Sequence, residues 1–325
     1  MNIIVTGGAG FIGSHLVDRL ISLNHKVIVI DNLSTGRLSN LKKNIKKIKF
    51  VKADLSKKSK WVLSFKKIDC VFHLAGLADI VPSIEKPNEY YEANVTSTLN
   101  VMEISKKYKI KKVLYSASSS CYGIPKLYPT KENSKISPEY PYALTKYLGE
   151  QIVLHWGKLY GIQTISLRLF NVYGLRSRTT GAYGAVFGVF LAQKISNRPI
   201  TIVGTGNQTR DFTYVSDVVE AFIKAMNSKY NSLVLNIGSN KTYKIKYLVK
   251  LLNHKSVHIP KRPGEPSKTW ADTTKAKKYL NWQPKISLEQ GVKIMIDNIK
   301  LWKDAPVWTA VKIEKSTRNW FKYLG

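Results

Sequence analysis

Tyr142 and Lys146 lie four residues apart in Tyr142-Ala143-Leu144-Thr145-Lys146, and Ser118 precedes the tyrosine by 24 residues. A spacing of four puts both side chains on one face of a helix. Pro138 and Pro141, just before them, suit a helix start. Free tyrosine ionises near pH ~10 and is a poor base at neutrality. A neighbouring ammonium favours the phenolate, which makes Tyr142 a usable acid and base. Ser118 is suited to orient a substrate hydroxyl and to steady developing charge. Tyr-x-x-x-Lys also occurs by chance on surface helices, so the rest of the chain must supply the context.

That context begins at the N-terminus. Thr6-Gly7-Gly8-Ala9-Gly10-Phe11-Ile12-Gly13 follows a strand-like run and opens a helical pattern. Glycines there permit a tight turn and close backbone approach to a pyrophosphate, which the helix N-terminus then attracts. Gly7, Gly10, Phe11, Ile12 and Gly13 are the expected dinucleotide contacts. Asp31, with Asn32 beside it, stands 18 residues beyond Gly13 at the end of the next strand. A carboxylate there accepts bonds from a ribose and repels a 2′-phosphate, which favours NAD over NADP; the nearby Arg37 argues slightly the other way. Asp54 and Leu55 suit an adenine pocket. Leu74, Ala75 and Gly76 are small enough for the second half of the cofactor to lie close. His73 reads as a packed strand residue, and Asn94 as either a helix cap or a partner of a catalytic water, and as an expected cofactor contact. A bound nicotinamide, being positive, would further favour the Tyr142 phenolate.

The elements that position these residues alternate. Asn2–Thr6, 26–30, 48–51, 70–74, 112–116 and 163–170 read as strands, and 12–23 and 95–108 as intervening helices. Such alternation predicts an α/β fold: a Rossmann-type doubly wound parallel sheet with a smaller C-terminal substrate-binding lobe. Residues 1–174 form the expected dinucleotide-binding domain, with 209–240 returning to it through a strand at 233–237. Residues 175–208 and 241–325 form the expected lobe. The tail, 302–324, reads as one amphipathic helix packed on its own lobe.

Bulk properties narrow the partners. The net charge is +31, and lysines make up 43 of the 52 basic residues. They are scattered over helix faces, without an arginine-rich arm or interleaved aromatics, so no specific nucleic-acid partner is expected. A positive field still attracts a diphosphate. No 18-residue apolar run predicts a transmembrane helix, and no basic stretch precedes the first strand as in a signal peptide. Cys70 and Cys121 lack metal-ligand spacing, which points to a reduced, cytoplasmic protein and no metal.

Taken in order, Thr6–Gly13, 73–76, 116–123, Tyr142–Lys146, 167–174, 209–217 and 262–272 resemble the extended short-chain dehydrogenase/reductase family, in its NAD-dependent sugar-nucleotide epimerase/dehydratase branch. The resemblance covers nearly the whole chain. It implies cofactor contacts from Ser116, Tyr142 and Lys146. It implies substrate contacts from Ser118, Ser119, Ser120 and Asn171, with Arg210 and Arg262 on the nucleotide diphosphate, where a planar guanidinium suits phosphate oxygens. It also implies a homodimer through helices near 95–108 and 142–158. Dehydratases of the branch carry an Asp-Glu pair at the places of Ser119 and Ser120, and decarboxylases a glutamate at Ser120. Certain 3,5-epimerases carry a cysteine at Ser120, whereas here the cysteine is Cys121. The triple serine resembles the 4-epimerases, especially those acting on UDP-N-acetylhexosamines. Thr269, often a large tyrosine in 4-epimerases restricted to glucose and galactose, leaves room for an N-acetyl group. Ser177, Arg178 and Thr180 keep a uronate substrate open, and Ala78 stands where some UDP-glucose epimerases have a lysine. The branch's chemistry would begin with Tyr142 taking the sugar 4-OH proton while NAD oxidises C4.

Overall fold

The computed structural model describes residues 1–177 and 186–324. Seven strands form one sheet: β1 Asn2–Thr6, β2 Lys26–Asp31, β3 Ile48–Lys52, β4 Cys70–His73, β5 Lys112–Ser118, β6 Gln163–Leu169, and Leu233–Ile237. Their order is Leu233–Ile237, β6, β5, β4, β1, β2, β3, and all neighbours are parallel. The order reverses between β1 and β4. A crevice therefore opens beyond the carboxyl ends of these two strands, where doubly wound sheets bind their ligands.

The helices are α1 Phe11–Ser22, α2 Ile80–Glu85, α3 Pro87–Tyr91, α4 Ser97–Lys107, α5 Pro141–Tyr160, α6 Val186–Ile195, α7 Val215–Asn227, α8 Ile245–Leu252, α9 Thr274–Leu280, α10 Leu288–Asp297 and α11 Ala310–Leu324. Side chains alternate across a strand, so β1 feeds two cores. Ile3 and Val5 pack with Leu16 and Leu20 of α1 and Val218 and Phe222 of α7. Ile4, between them, packs with Val101 and Met102 of α4 and Val153 of α5. Both faces are covered, which is why these strands are nearly unbroken apolar runs.

A third core joins Phe187, Phe190 and Leu191 of α6 to Leu248, Val292, Met295 and Trp302. It also takes in Tyr173, Phe212 and Tyr214, which come from segments assigned by sequence to the first domain. Tyr173 stacks on Phe187 with ring centroids 4.3 Å apart. The two lobes are thus keyed together by aromatic side chains rather than joined by a linker.

Two helices differ from the sequence expectation. The helix expected over 95–108 is preceded by a π-helical turn, Glu92–Thr96, of a kind that often occurs at functional sites. The expected tail helix is broken: a 3-10 turn ends at Trp302 and α11 starts only at Ala310. Pro306 lies in the gap and cannot sit in a helix interior.

Candidate active site

The β1–α1 turn lines one wall of the crevice. Gly7 has φ +67°, and a Cβ there would stand 2.7 Å from the Ala75 backbone nitrogen; a Cβ on Gly13 would come within 2.2 Å of the Gly7 oxygen. Both positions therefore demand glycine. Gly10 caps α1 without a side-chain bond, which leaves the first N–H groups of the helix to a ligand. A cleft of about 510 Å³ extends from here. Gly7, Gly10, Phe11, Ile12, Gly13, Asp31, Asn32, Asp54, Leu55, Leu74, Ala75, Gly76, Ser116, Ser118, Tyr142 and Lys146 all line it.

Asp31 closes the far end. Its carboxylate accepts from the Ala9 N–H at 2.9 Å and the Leu33 N–H at 2.8 Å. Burial pushes its pKa up, and these two bonds partly offset that. Asp54 accepts from the N–H and hydroxyl of Ser56. Asn94 neither caps a helix nor lines the cleft. It is buried in the π-helical turn, accepts from the Leu77 N–H at 2.9 Å, and donates to the Leu77 carbonyl at 3.1 Å and the Thr145 hydroxyl at 3.0 Å. Its side chain braces the loop after β4 against α5. His73 is fully buried between Thr6 and Thr98, bonded to both hydroxyls. Burial lowers its pKa to about 3, so it stays neutral, as a packed strand residue should.

Pro141 occupies the first turn of α5, and the sequence places Tyr142 just behind it, facing the end of β5. The Tyr142 hydroxyl donates to Ser118 Oγ at 3.1 Å. Ser118 Oγ also meets Ser120 Oγ in a short contact and accepts from the Ser120 N–H at 3.2 Å. Burial pushes the Tyr142 hydroxyl up, while its bonds with Ser118 and Ser120 lower it in part. Burial thus favours the protonated form of Tyr142, against which the ammonium and a nicotinamide expected from the sequence would act. Lys146 is itself buried. Its Nζ rests 4.4 Å from the Tyr115 ring centroid, and burial pulls its pKa down to about 7, against the opposing charge of Glu150.

One turn beyond Lys146, Glu150 anchors α5 to the sheet. Arg168 on β6 meets both its oxygens, at 3.0 and 2.6 Å, and Ser166 donates to it at 2.8 Å. Arg168 also donates to the Tyr122 hydroxyl at 2.8 Å, which in turn donates to Asn236 at 2.7 Å. Glu150 and Arg168 are 1% and 5% exposed at their side chains, so this pair is shielded from solvent and salt.

A second cleft, of about 340 Å³, runs from the same serines into the other lobe. Ser119, Ser120, Asn171, Arg210, Arg262 and Thr269 line it. Ile80, Ser119, Ser120, Tyr140, Asn171 and Val172 belong to both clefts, so they meet at the hydroxyl cluster. The Thr269 hydroxyl donates to Asn171 at 2.7 Å and accepts from the Asp211 N–H at 3.1 Å. Arg210 pairs with Glu265 at 2.5 Å rather than with its neighbour Asp211. Asp211 is buried and accepts instead from the Ser239 N–H at 2.5 Å, the Ser239 hydroxyl at 2.7 Å and the Ala271 N–H at 3.0 Å. It stitches the loops that carry Thr269. Ser177 is buried beside the cofactor cleft, whereas Arg178 and Thr180 lie outside the described residues.

A model of the NAD dependent epimerase/dehydratase family matches residues 3–238. The chain belongs to this family. It is 38% identical over 306 residues to a putative UDP-glucose 4-epimerase of Methanocaldococcus jannaschii, covering 92% of this chain and 98% of that one. It is similar to a UDP-N-acetylglucosamine 4-epimerase of Methanobrevibacter ruminantium solved with UDP-N-acetylmuramic acid: 34% identity, TM-score 0.86, covering 91% and 98%. It is equally similar to a Bacillus cereus UDP-glucuronic acid 4-epimerase solved with UDP-glucuronic acid and NAD, at 32% identity and TM-score 0.85, covering 92% and 99%.

NAD is the cofactor of this family member, and the residues present fit it. The glycine cradle leaves space only for backbone, the open end of α1 would suit a pyrophosphate, and Asp31, at the end of β2, would suit a ribose. Sequence reasoning missed several residues that line the clefts. Tyr140 lies in both and stacks on Tyr142, with centroids 6.2 Å apart and planes 10° off parallel. Its signal was weak, since it directly precedes the helix. Glu265, Ile313 and Trp320 line the substrate cleft, and nothing in their local sequence marks them. Among the described residues, no helix is long and apolar enough to cross a membrane.

Proposed function

We propose that this protein is an NAD-dependent 4-epimerase of UDP-hexoses, acting on UDP-GlcNAc and UDP-GalNAc. The observation that carries this reading is the hydroxyl cluster of Tyr142, Ser118 and Ser120 at the meeting point of the two clefts. A reacting sugar carbon there lies within reach of both cofactor and base. Ser119 and Ser120 supply no carboxylate at the places where the dehydratases of the branch carry the Asp-Glu pair that expels the C6 hydroxyl.

The smaller lobe, together with Ser119, Ser120, Asn171 and Arg210 of the dinucleotide-binding domain, receives the nucleotide sugar. Arg210 and Arg262 hold its diphosphate, and Asn171 holds the sugar. Ser118 orients the 4-OH, and Tyr142 takes its proton. NAD supplies the acceptor for the hydride at C4 and its return. Once the 4-keto sugar has turned within the cleft, so that the hydride would return to the other face of C4, Tyr142 gives the proton back to the sugar's O4. Lys146 steadies the charge on Tyr142. Thr269 is small, which supports room for an N-acetyl group at C2. The protein acts in the cytoplasm, a reading supported by two unpaired, buried cysteines. It works as a homodimer through α4 and α5; Leu144 and Leu159 are exposed on α5.

A uronate substrate is the second reading. The Ser177 hydroxyl is buried without a partner among the described residues, and it borders the cofactor cleft, where a carboxylate would satisfy it. Incubating the purified protein with UDP-GlcNAc, UDP-glucose and UDP-glucuronate, and following the C4 epimers by NMR, decides between them. Conversion of none of the three overturns the 4-epimerase reading.

A further inference from the structure

The C-terminal helix has a position that the reaction does not explain. Its buried residues, Ile313, Thr317 and Trp320, fall at helical spacing on one stripe, as in any amphipathic helix. The stripe does not face only its own lobe. Ile313 and Trp320 form part of the wall of the substrate cleft. The Trp320 indole N–H donates to the Pro263 carbonyl at 2.5 Å. Its ring lies under the Arg262 guanidinium, with 5.6 Å from Cζ to the ring centroid. Leu324 borders Gly264. The helix therefore touches three successive residues of the loop that carries Arg262 and Glu265.

The other side of α11 reaches the dinucleotide-binding domain. Asn319 donates to Glu85 of α2 at 2.9 Å. Helix α2 follows directly on the segment that lines the cofactor cleft, and Ile80 at its start belongs to both clefts. The approach to α11 is tied down as well: Gln193 of α6 donates to the Trp308 carbonyl at 2.6 Å. One short helix thus spans from the wall of the cofactor cleft to the loop at the nucleotide end of the substrate cleft.

We propose that α11 is a strap across the substrate cleft, in which Trp320 is a positioning residue that holds Arg262 toward the nucleotide diphosphate. The inference rests on the reading of Arg262 as a diphosphate ligand. A guanidinium held over an indole by a cation–π contact is restrained in where its side chain can point. A flexible arginine ordered before the substrate arrives loses less entropy on binding. The effect belongs to nucleotide affinity and not to the chemical step, because Trp320 is not among the residues around Tyr142.

The test uses the full-length chain with Trp320→Leu, which keeps apolar bulk but removes the ring face, and Trp320→Phe, which keeps a ring. UDP affinity is measured by calorimetry, and KM and kcat with the best UDP-sugar substrate. Trp320→Leu is expected to weaken UDP binding and to raise KM by about tenfold, the scale of one desolvated cation–π contact, with kcat moving much less. Trp320→Phe is expected to recover most of that loss. UDP affinity and KM of Trp320→Leu within twofold of the parent, or a loss confined to kcat, overturns the strap while UDP binding by the parent leaves the site reading standing. A parent protein that binds no UDP overturns both.

Discussion

Glu150→Gln tests how the buried network supports the chemistry. The parent carboxylate receives three hydrogen bonds, two from Arg168 and one from Ser166. The amide keeps one oxygen acceptor and turns an NH2 toward donors. It also strands the Arg168 guanidinium as an uncompensated buried charge. Breaking a buried pair from one side costs about 3–5 kcal/mol. The outward links of Arg168 to Tyr122 and the Glu132 carbonyl remain, so we expect the lower end, about 3 kcal/mol, read from the urea midpoint at constant slope. There is a second consequence. Glu150 is the group that favours the charged form of Lys146 against its burial. Without it, and with Arg168 unopposed, the Lys146 pKa falls below its present value of about 7. If the ammonium supports the Tyr142 phenolate, the limb of the pH–rate profile set by Lys146 moves to lower pH. A stability loss under about 1 kcal/mol would show that the pair is not the anchor described. A lost midpoint with an unmoved limb would detach Glu150 from the chemistry.

Tyr142→Phe should lower kcat by about 10²–10⁴. The fold should hold, because Ser118 Oγ keeps both of its contacts with Ser120; activity within tenfold of the parent would refute the acid/base role. Gly13→Ala places a methyl 2.2 Å from the Gly7 carbonyl oxygen; NAD binding, followed by fluorescence titration, should be abolished or the thermal midpoint sharply lowered, and normal binding would mean the turn is looser than described. The stability difference contributed by Lys146 has a definite sign. Its folded pKa is depressed to about 7, so between there and its ordinary value near ~10.4 the unfolded chain binds the extra proton. That contribution rises with pH across this window, and a Lys146→Met variant should lose the rise in denaturant titrations. Finally, a net charge of +31 should make KM for an anionic substrate climb with salt while kcat stays level, since screening acts beyond a Debye length of about 8 Å at physiological ionic strength; a salt-independent KM would show that the lysines do not steer.

The fold and the cofactor cleft were legible because backbone geometry dictates both. Gly7 and Gly13 are fixed by sterics that act over a few residues, and Asp31 by its place at the end of β2. The central strands were legible because they are buried on both faces, whereas the edge strand β3 is only half-buried. The tail helix was misjudged at its start, since the amphipathic stripe continues across 302–309 although Pro306 interrupts the backbone. Asn94 was read from its place at a helix start, but its partners Leu77 and Thr145 lie 17 and 51 residues away. No local pattern encodes them. The i, i+4 spacing likewise puts Lys146 on the face of Tyr142 but says nothing of Tyr115, under the ammonium, or of the burial that lowers the Lys146 pKa.

The two clefts are built on different principles, and this bears on substrate choice. Fixed backbone builds the first cleft: a turn without room for Cβ atoms, a helix end and strand termini. The second is lined instead by side chains from distant segments. Asn171 follows β6, Arg210 and Thr269 are linked through Asp211, Glu265 belongs to a loop held by Trp320, and Tyr140 leads into α5. A substitution at Arg210, Glu265 or Thr269 changes the second cleft alone, whereas Asn171 and Tyr140 line both. Thr269 shows how directly: its hydroxyl ties Asn171 to the Asp211 backbone, so a larger residue there would both fill space and release the asparagine. On the proposed reading, substrate specificity in this chain would be set by a few contacts among loops, and the hydroxyl cluster where the clefts meet would serve whichever sugar those loops admit.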